Sequence, residues 1–185
     1  GEFHKVAIDG DYQRSGNLFG HDDSTVILGD YKTDPDAEKE RPTRIGLFNT
    51  PTDSVTTVDL GSAYWFRSLA RGADGEALVL TYDGQLNILD ADTGAVIHEI
   101  DVVEPWEEPE EWQQPGPVVK VGADGFAYVT DAAAKKLHVI DVEAGAVLDS
   151  FDLPETPLEL AVVTGDPETA ARDEEDHAGH DHAES

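Results

Sequence analysis

The residues best suited to chemistry lie towards the two ends of the chain. Near the C-terminus His177, His180 and His182 fall within six positions, flanked by Asp173, Glu174, Glu175, Asp176, Asp181 and Glu184 and loosened by Gly179. Imidazole nitrogens and carboxylate oxygens suit a borderline-soft cation such as Zn2+, and a pliant run of them can wrap the ion without a preformed cage. Neutral imidazole is the ligating form, so capture is predicted to weaken below about pH 6.5. The competing reading is an acidic tail with incidental histidines. The crowding of three of the seven histidines into this one run favours metal capture. A second cluster, His21-Asp22-Asp23, offers three further zinc ligands, although adjacent residues rarely all reach one ion. It reads equally well as a turn whose aspartates accept hydrogen bonds from local amides.

Other chemistry is poorly represented. The sequence carries no phosphate-binding glycine loop, no nucleophile elbow and no ordered catalytic triad, so it is not expected to be an enzyme. Cysteine is absent, which removes disulfides, Cys-based zinc fingers and thiol nucleophiles. Asp and Glu number 40 against 12 Lys and Arg, for a formal net charge of −28. Such a chain repels nucleic acid, because binding a polyanion requires basic groups to displace its counterions, and it favours divalent cations or basic proteins. No apolar stretch is long enough to insert into a membrane as a helix. The opening Gly1-Glu2-Phe3 reads as a cut or processed end.

The elements that must position these groups repeat. Asp74-Gly75-Glu76-Ala77-Leu78-Val79-Leu80-Thr81 is answered about fifty positions later by Asp124-Gly125-Phe126-Ala127-Tyr128-Val129-Thr130-Asp131. Ile88-Leu89-Asp90-Ala91-Asp92-Thr93-Gly94-Ala95-Val96 is likewise answered by Val139-Ile140-Asp141-Val142-Glu143-Ala144-Gly145-Ala146-Val147. Each unit reads as four short strands: 66–70, 76–81, 85–90 and 95–102 in one, and 118–121, 126–130, 136–141 and 146–153 in the other. The Asp-Gly pairs between them supply the backbone angles of tight hairpins, so successive strands are antiparallel neighbours. A more decorated unit precedes them, with strands 14–19, 24–30, 44–49 and 54–59 and an inserted polar loop over 31–43.

Four-stranded meanders at this period are β-propeller blades, because one small sheet buries both faces only by stacking on its neighbours. The predicted fold is therefore all-β: a partial ring of about three blades over residues 1–165, followed by an acidic, His-rich, flexible tail over 166–185. Residues 3–8 are expected to form the outer strand of one further blade and 158–164 the inner strand of another. Three blades do not close a ring, so the remaining blades are expected upstream of Gly1 or from another copy. The His21 cluster then sits on a hairpin at one face of the ring, where His4 could approach it, while His98 and His138 read as surface residues. In the proline-rich linker 104–117, Trp106 and Trp112 are expected to anchor the chain between blades, with Trp65 in an equivalent place.

Taken together, Gly16-Asn17-Leu18 leading to His21-Asp22-Asp23, Ile27-Leu28-Gly29-Asp30-Tyr31-Lys32, the Asp34-Pro35-Asp36-Ala37-Glu38 loop, Trp112-Gln113-Gln114-Pro115, Lys135-Lys136-Leu137-His138 and Thr156-Pro157-Leu158-Glu159-Leu160 resemble the AztD-type zinc metallochaperones. The resemblance runs over nearly the whole chain and corresponds to the C-terminal part of such a propeller. It implies a secreted, periplasmic or extracellular protein that captures zinc and hands it to the solute-binding protein of a zinc ABC transporter. The His-rich tail would gather the ion, and a face site including His21 and Asp22 or Asp23 would hold it. The rival expectations are a metal-independent propeller scaffold for protein docking, or a propeller enzyme whose catalytic residues lie in other blades.

Overall fold

The computed structural model describes residues 3–8, 10–12, 14–111 and 114–163, and contains twelve strands and no helix among them. The first sheet comprises β1 (Leu18–His21), β2 (Ser24–Asp30), β3 (Arg44–Asn49) and β4 (Ser54–Asp59). The second comprises β5 (Leu69–Arg71), β6 (Ala77–Leu80), β7 (Gln85–Leu89) and β8 (Val96–Asp101). The third comprises β9 (Val119–Val121), β10 (Ala127–Asp131), β11 (Lys136–Asp141) and β12 (Ala146–Asp152). Each is a four-stranded antiparallel meander in chain order, as the repeat predicts.

Alternation along the strands decides how the sheets stack. In the first sheet Leu28 pairs with Leu47 and Asp30 with Ile45, which puts Val26, Leu28, Ile45 and Leu47 on one face. That face packs on Leu69, Ala77, Val79 and Leu89 of the second sheet. The opposite face of the second sheet, carrying Leu78, Leu80, Leu86, Ile88 and Ile100, packs on Val119, Ala127, Val129 and Ile140 of the third. The first strands lie side by side, β1 against β5 and β5 against β9, so they are the innermost strands of three successive blades. This is a partial all-β propeller. Its core is two apolar seams between blades, because each thin sheet has no interior of its own.

The two long loops lie at one end of the strands and are tied together. Lys39 donates to the carbonyls of Pro109, at 2.5 Å, and Glu110, while Arg41 pairs with Glu110 at 2.8 Å. Trp65 is buried and donates its indole N–H to the Pro117 carbonyl at 2.7 Å. Trp106 donates to the Thr81 carbonyl at 3.0 Å and meets the Trp65 and Tyr82 rings edge-on. The linker tryptophan therefore anchors the chain between blades, while Trp112 lies outside the described residues.

Neither flanking strand forms. Residues 3–8 and 158–163 carry no ladder, since a strand needs a neighbouring backbone and none of the described residues supplies one. The segment after β12 is nevertheless held at the base of the inner strands, where Arg67 donates to the Leu158 carbonyl at 3.2 Å and pairs with Glu159 at 2.7 Å.

Candidate metal-binding face

The opposite end of the blades carries the β1–β2, β5–β6 and β9–β10 turns, and they surround a recess of ≈800 Å³. Its lining includes His21, Asp22 and Asp23 from the first turn, Arg71, Gly72 and Ala73 from the second, and Val121, Gly122 and Ala123 from the third. Blades two and three carry Gly-Ala-Asp-Gly at this turn, over 72–75 and 122–125, whereas blade one carries Gly20-His21-Asp22-Asp23. In the ladders Phe19 pairs with Leu28 as Ala70 does with Leu78, and His21, two residues on, closes its turn on Ser24 as Gly72 does on Glu76, so His21 stands where the other blades keep Gly72 and Gly122. The departure is readable from the sequence once the blades are aligned.

The turn is tight. His21 pairs with Ser24 across it, and the Asp23 amide donates to His21 Nδ1 at 3.2 Å, leaving Nε2 as the nitrogen suited to a cation. The imidazole leans towards blade two, since a Cβ on Gly75 would lie 3.6 Å from His21 Nδ1. Both aspartate side chains are exposed and His21 is half-buried. Asp23 also borders a second recess of ≈380 Å³ with Asp74, Glu76, Asp90 and Asp92, so this face is strongly acidic. Among the described residues no group of three or more His, Asp or Glu is arranged to hold a metal ion. His21, Asp22 and Asp23 share one turn without forming a closed cage. His177, His180 and His182 lie outside the described residues.

The other histidines are placed clearly. His4 Nδ1 meets Asp53 in the β3–β4 turn at 2.7 Å. His98, on the outer strand β8, contacts the β11–β12 turn through Nε2 and the Glu143 carbonyl at 3.1 Å. His138 corrects the expectation of a surface residue: it lies on the third strand, on the face turned towards blade two, and is 8% exposed. Its Nδ1 meets Ser150 Oγ at 2.8 Å, while Nε2 is buried 3.9 Å from the Asp131 carboxylate.

Burial holds the His138 imidazole below its usual range, with Asp131 opposing that shift and Lys136 adding to it. The unfolded chain therefore takes up this proton first as pH falls. Stability contributed by neutral His138 is complete above about pH 6.5 and declines below it, with a slope of at most roughly 1.4 kcal/mol per pH unit. His138→Gln is expected to flatten the acid side of a urea-midpoint profile between about pH 6.5 and 5. An unchanged slope would remove His138 as its source.

A run of propeller blades with a histidine-bearing acidic turn on one face is the class of protein these features define. No protein-family model matches the chain. The chain is similar to the zinc chaperone AztD of Citrobacter koseri, with 29% identity over 106 residues, a match covering 57% of this chain and 25% of that protein. The solved structure of apo AztD from Citrobacter koseri superposes with a TM-score of 0.68 at 24% identity, covering 85% of this chain and 40% of its own. BamB from Moraxella catarrhalis superposes with a TM-score of 0.53 at 17% identity, over 75% of this chain and 37% of its own. The chain thus spans a quarter of the length of its curated relative, and the structural likenesses establish the propeller fold.

Proposed function

We propose that this chain is part of a zinc metallochaperone that takes up zinc outside the cytoplasm and passes it to the solute-binding protein of a zinc ABC transporter. The observation that carries the reading is the presence of His21 where the other blades keep a glycine, on an acidic turn at the rim of a recess, in a chain similar to a zinc chaperone. The chemistry is ligand exchange and no covalent bond is made, so the role is non-enzymatic. Zinc enters as cargo. The acidic face raises its local concentration, the imidazoles of His177, His180 and His182 collect it, and His21 with Asp22 or Asp23 supplies ligands on the ring. An incomplete ligand set suits transfer: an ion held by few protein groups keeps positions at which an acceptor's ligands can enter before the donor's leave.

Transfer is measured directly. Zinc-loaded chain is mixed with the metal-free solute-binding protein, the two are separated by size, and zinc is quantified in each. The expected result is movement of zinc to the acceptor faster than its release to a dilute chelator. Transfer at the chelator's rate would mean simple dissociation and would overturn the chaperone reading. Failure to load zinc at all would favour the metal-independent docking scaffold.

A further inference from the structure

The recess holds one residue whose role the preceding reading leaves open. Arg71 ends the inner strand β5 and is 8% exposed, on the seam between blades one and two. Its guanidinium donates through Nη1 to the carbonyls of Phe19 at 3.3 Å and Val26 at 2.5 Å, both in blade one. Through Nη2 it donates to the Gly75 carbonyl at 2.5 Å, and through Nε to the Glu76 carbonyl at 3.3 Å, both in blade two. Phe19 and Val26 bracket the β1–β2 turn, so the two carbonyls fix the base of the segment bearing His21, Asp22 and Asp23. Gly75 belongs to the turn on which the His21 ring leans.

The blade fold does not require this arginine. Blade three ends its inner strand with Val121 at the matching place and forms the same four-stranded sheet. Burying a guanidinium is costly, and burial does lower the affinity of Arg71 for its proton, with Glu76 and Asp92 opposing. The fork geometry of the group, several N–H donors fixed in one plane, lets it bind carbonyls of two blades together, which a lysine ammonium does not reproduce.

We propose that Arg71 is the positioning residue of the His21 turn, locking the β1–β2 hairpin of blade one to blade two so that the His21 imidazole is held at a fixed place on the rim of the recess. This rests on His21 being a zinc ligand. Two opposed consequences separate positioning from simple electrostatics. A buried cation beside a zinc site repels zinc, so a residue acting only through charge would raise affinity when neutralised and leave it unchanged when replaced by lysine. A positioning residue loses affinity in both cases.

The test uses the full chain with His177, His180 and His182 replaced by asparagine, so that the ring site is read without the tail. Cobalt(II) absorption and zinc affinity by chelator competition are compared for this background and for Arg71→Lys, Arg71→Gln and His21→Ala added to it. Near-ultraviolet circular dichroism identifies the variants that retain the native fold. The expected result is loss of binding in His21→Ala, and affinity lowered about tenfold with an altered cobalt band in Arg71→Lys and Arg71→Gln. Should Arg71→Gln fail to fold, Arg71→Lys, which keeps the charge and the aliphatic stem, carries the measurement. Amide exchange supplies a readout without metal: Asp23 and Ser24 exchange faster in Arg71→Lys while Leu28 does not. Unchanged affinity in Arg71→Lys beside a loss in His21→Ala overturns the positioning role alone. Unchanged affinity in His21→Ala overturns the ring site, and the role of Arg71 with it.

Discussion

Replacing His177, His180 and His182 together by asparagine in the otherwise unaltered chain is expected to weaken zinc binding by on the order of 100-fold, equivalent to about 2.8 kcal/mol, in competition with a chromogenic chelator at pH 7.5. Asparagine keeps the run polar and leaves the formal net charge at −28, so the diffuse attraction of the acidic chain for cations is unchanged. What is removed is imidazole nitrogen, the ligand that distinguishes zinc from calcium or magnesium in a field of carboxylates. A chain that works by charge alone would show little difference between variant and parent, and both would lose most of their binding at high salt, because exposed charges are screened over about 10 Å at 0.1 M. A chain that works by coordination keeps its preference for zinc in salt and loses it with the histidines. Equal affinities in variant and parent would remove the tail from the mechanism and leave the whole burden on His21 and its turn.

Much of the ring was legible because turns and strands are specified locally. Gly75, Gly84 and Gly125 each adopt a positive φ, at 87°, 90° and 85°, in the Asp-Gly turns that the repeat picks out. Strands β2, β3, β4 and β11 occupy the predicted residues, since an apolar and polar alternation bounded by turn residues leaves one register in which the apolar set faces a neighbouring blade. The inner strand β5 was expected over 66–70 and runs instead over Leu69–Arg71, because the Ser68 amide turns back to the Trp65 carbonyl at 3.0 Å and delays the ladder. The site was legible only where it departs from polar background, and His21 was found on that ground. Arg71 was not: an arginine closing an apolar strand reads as a solvated end, and the four carbonyls that receive it converge only when two blades are assembled. His138 was misplaced for a related reason. The surface reading takes His138 for an outer-strand residue, and only the pairing with Val129 shows that it lies on the third strand and shares the inward face of Ile140.

Gly84→Ala is expected to be among the most damaging single changes outside the apolar seams, and Gly61→Ala separates its two causes. Both glycines have positive φ, 90° at Gly84 and 74° at Gly61, a region that costs an alanine about 1–2 kcal/mol. At Gly61 a Cβ would meet nothing within 4 Å, so that cost stands alone. At Gly84 the Cβ would overlap the carbonyl of Val103, which is backbone and has no rotamer to yield. Nor can that segment withdraw freely, because the amides of Val102 and Val103 donate to the Gly84 carbonyl at 3.0 and 3.2 Å and both side chains pack into the seam between blades two and three. Opening the turn therefore strains the exit of β8 and the lip of that core, adding roughly 1–3 kcal/mol of overpacking to the conformational cost. Urea denaturation is expected to show a total loss of about 2–5 kcal/mol for Gly84→Ala against about 1–2 for Gly61→Ala, at an unchanged dependence on denaturant. Equal losses in the two variants would mean that the Val103 segment gives way without cost. The seam would then be far softer than its packing implies, and the ring's rigidity, on which a fixed geometry at the His21 face depends, would have to come from elsewhere.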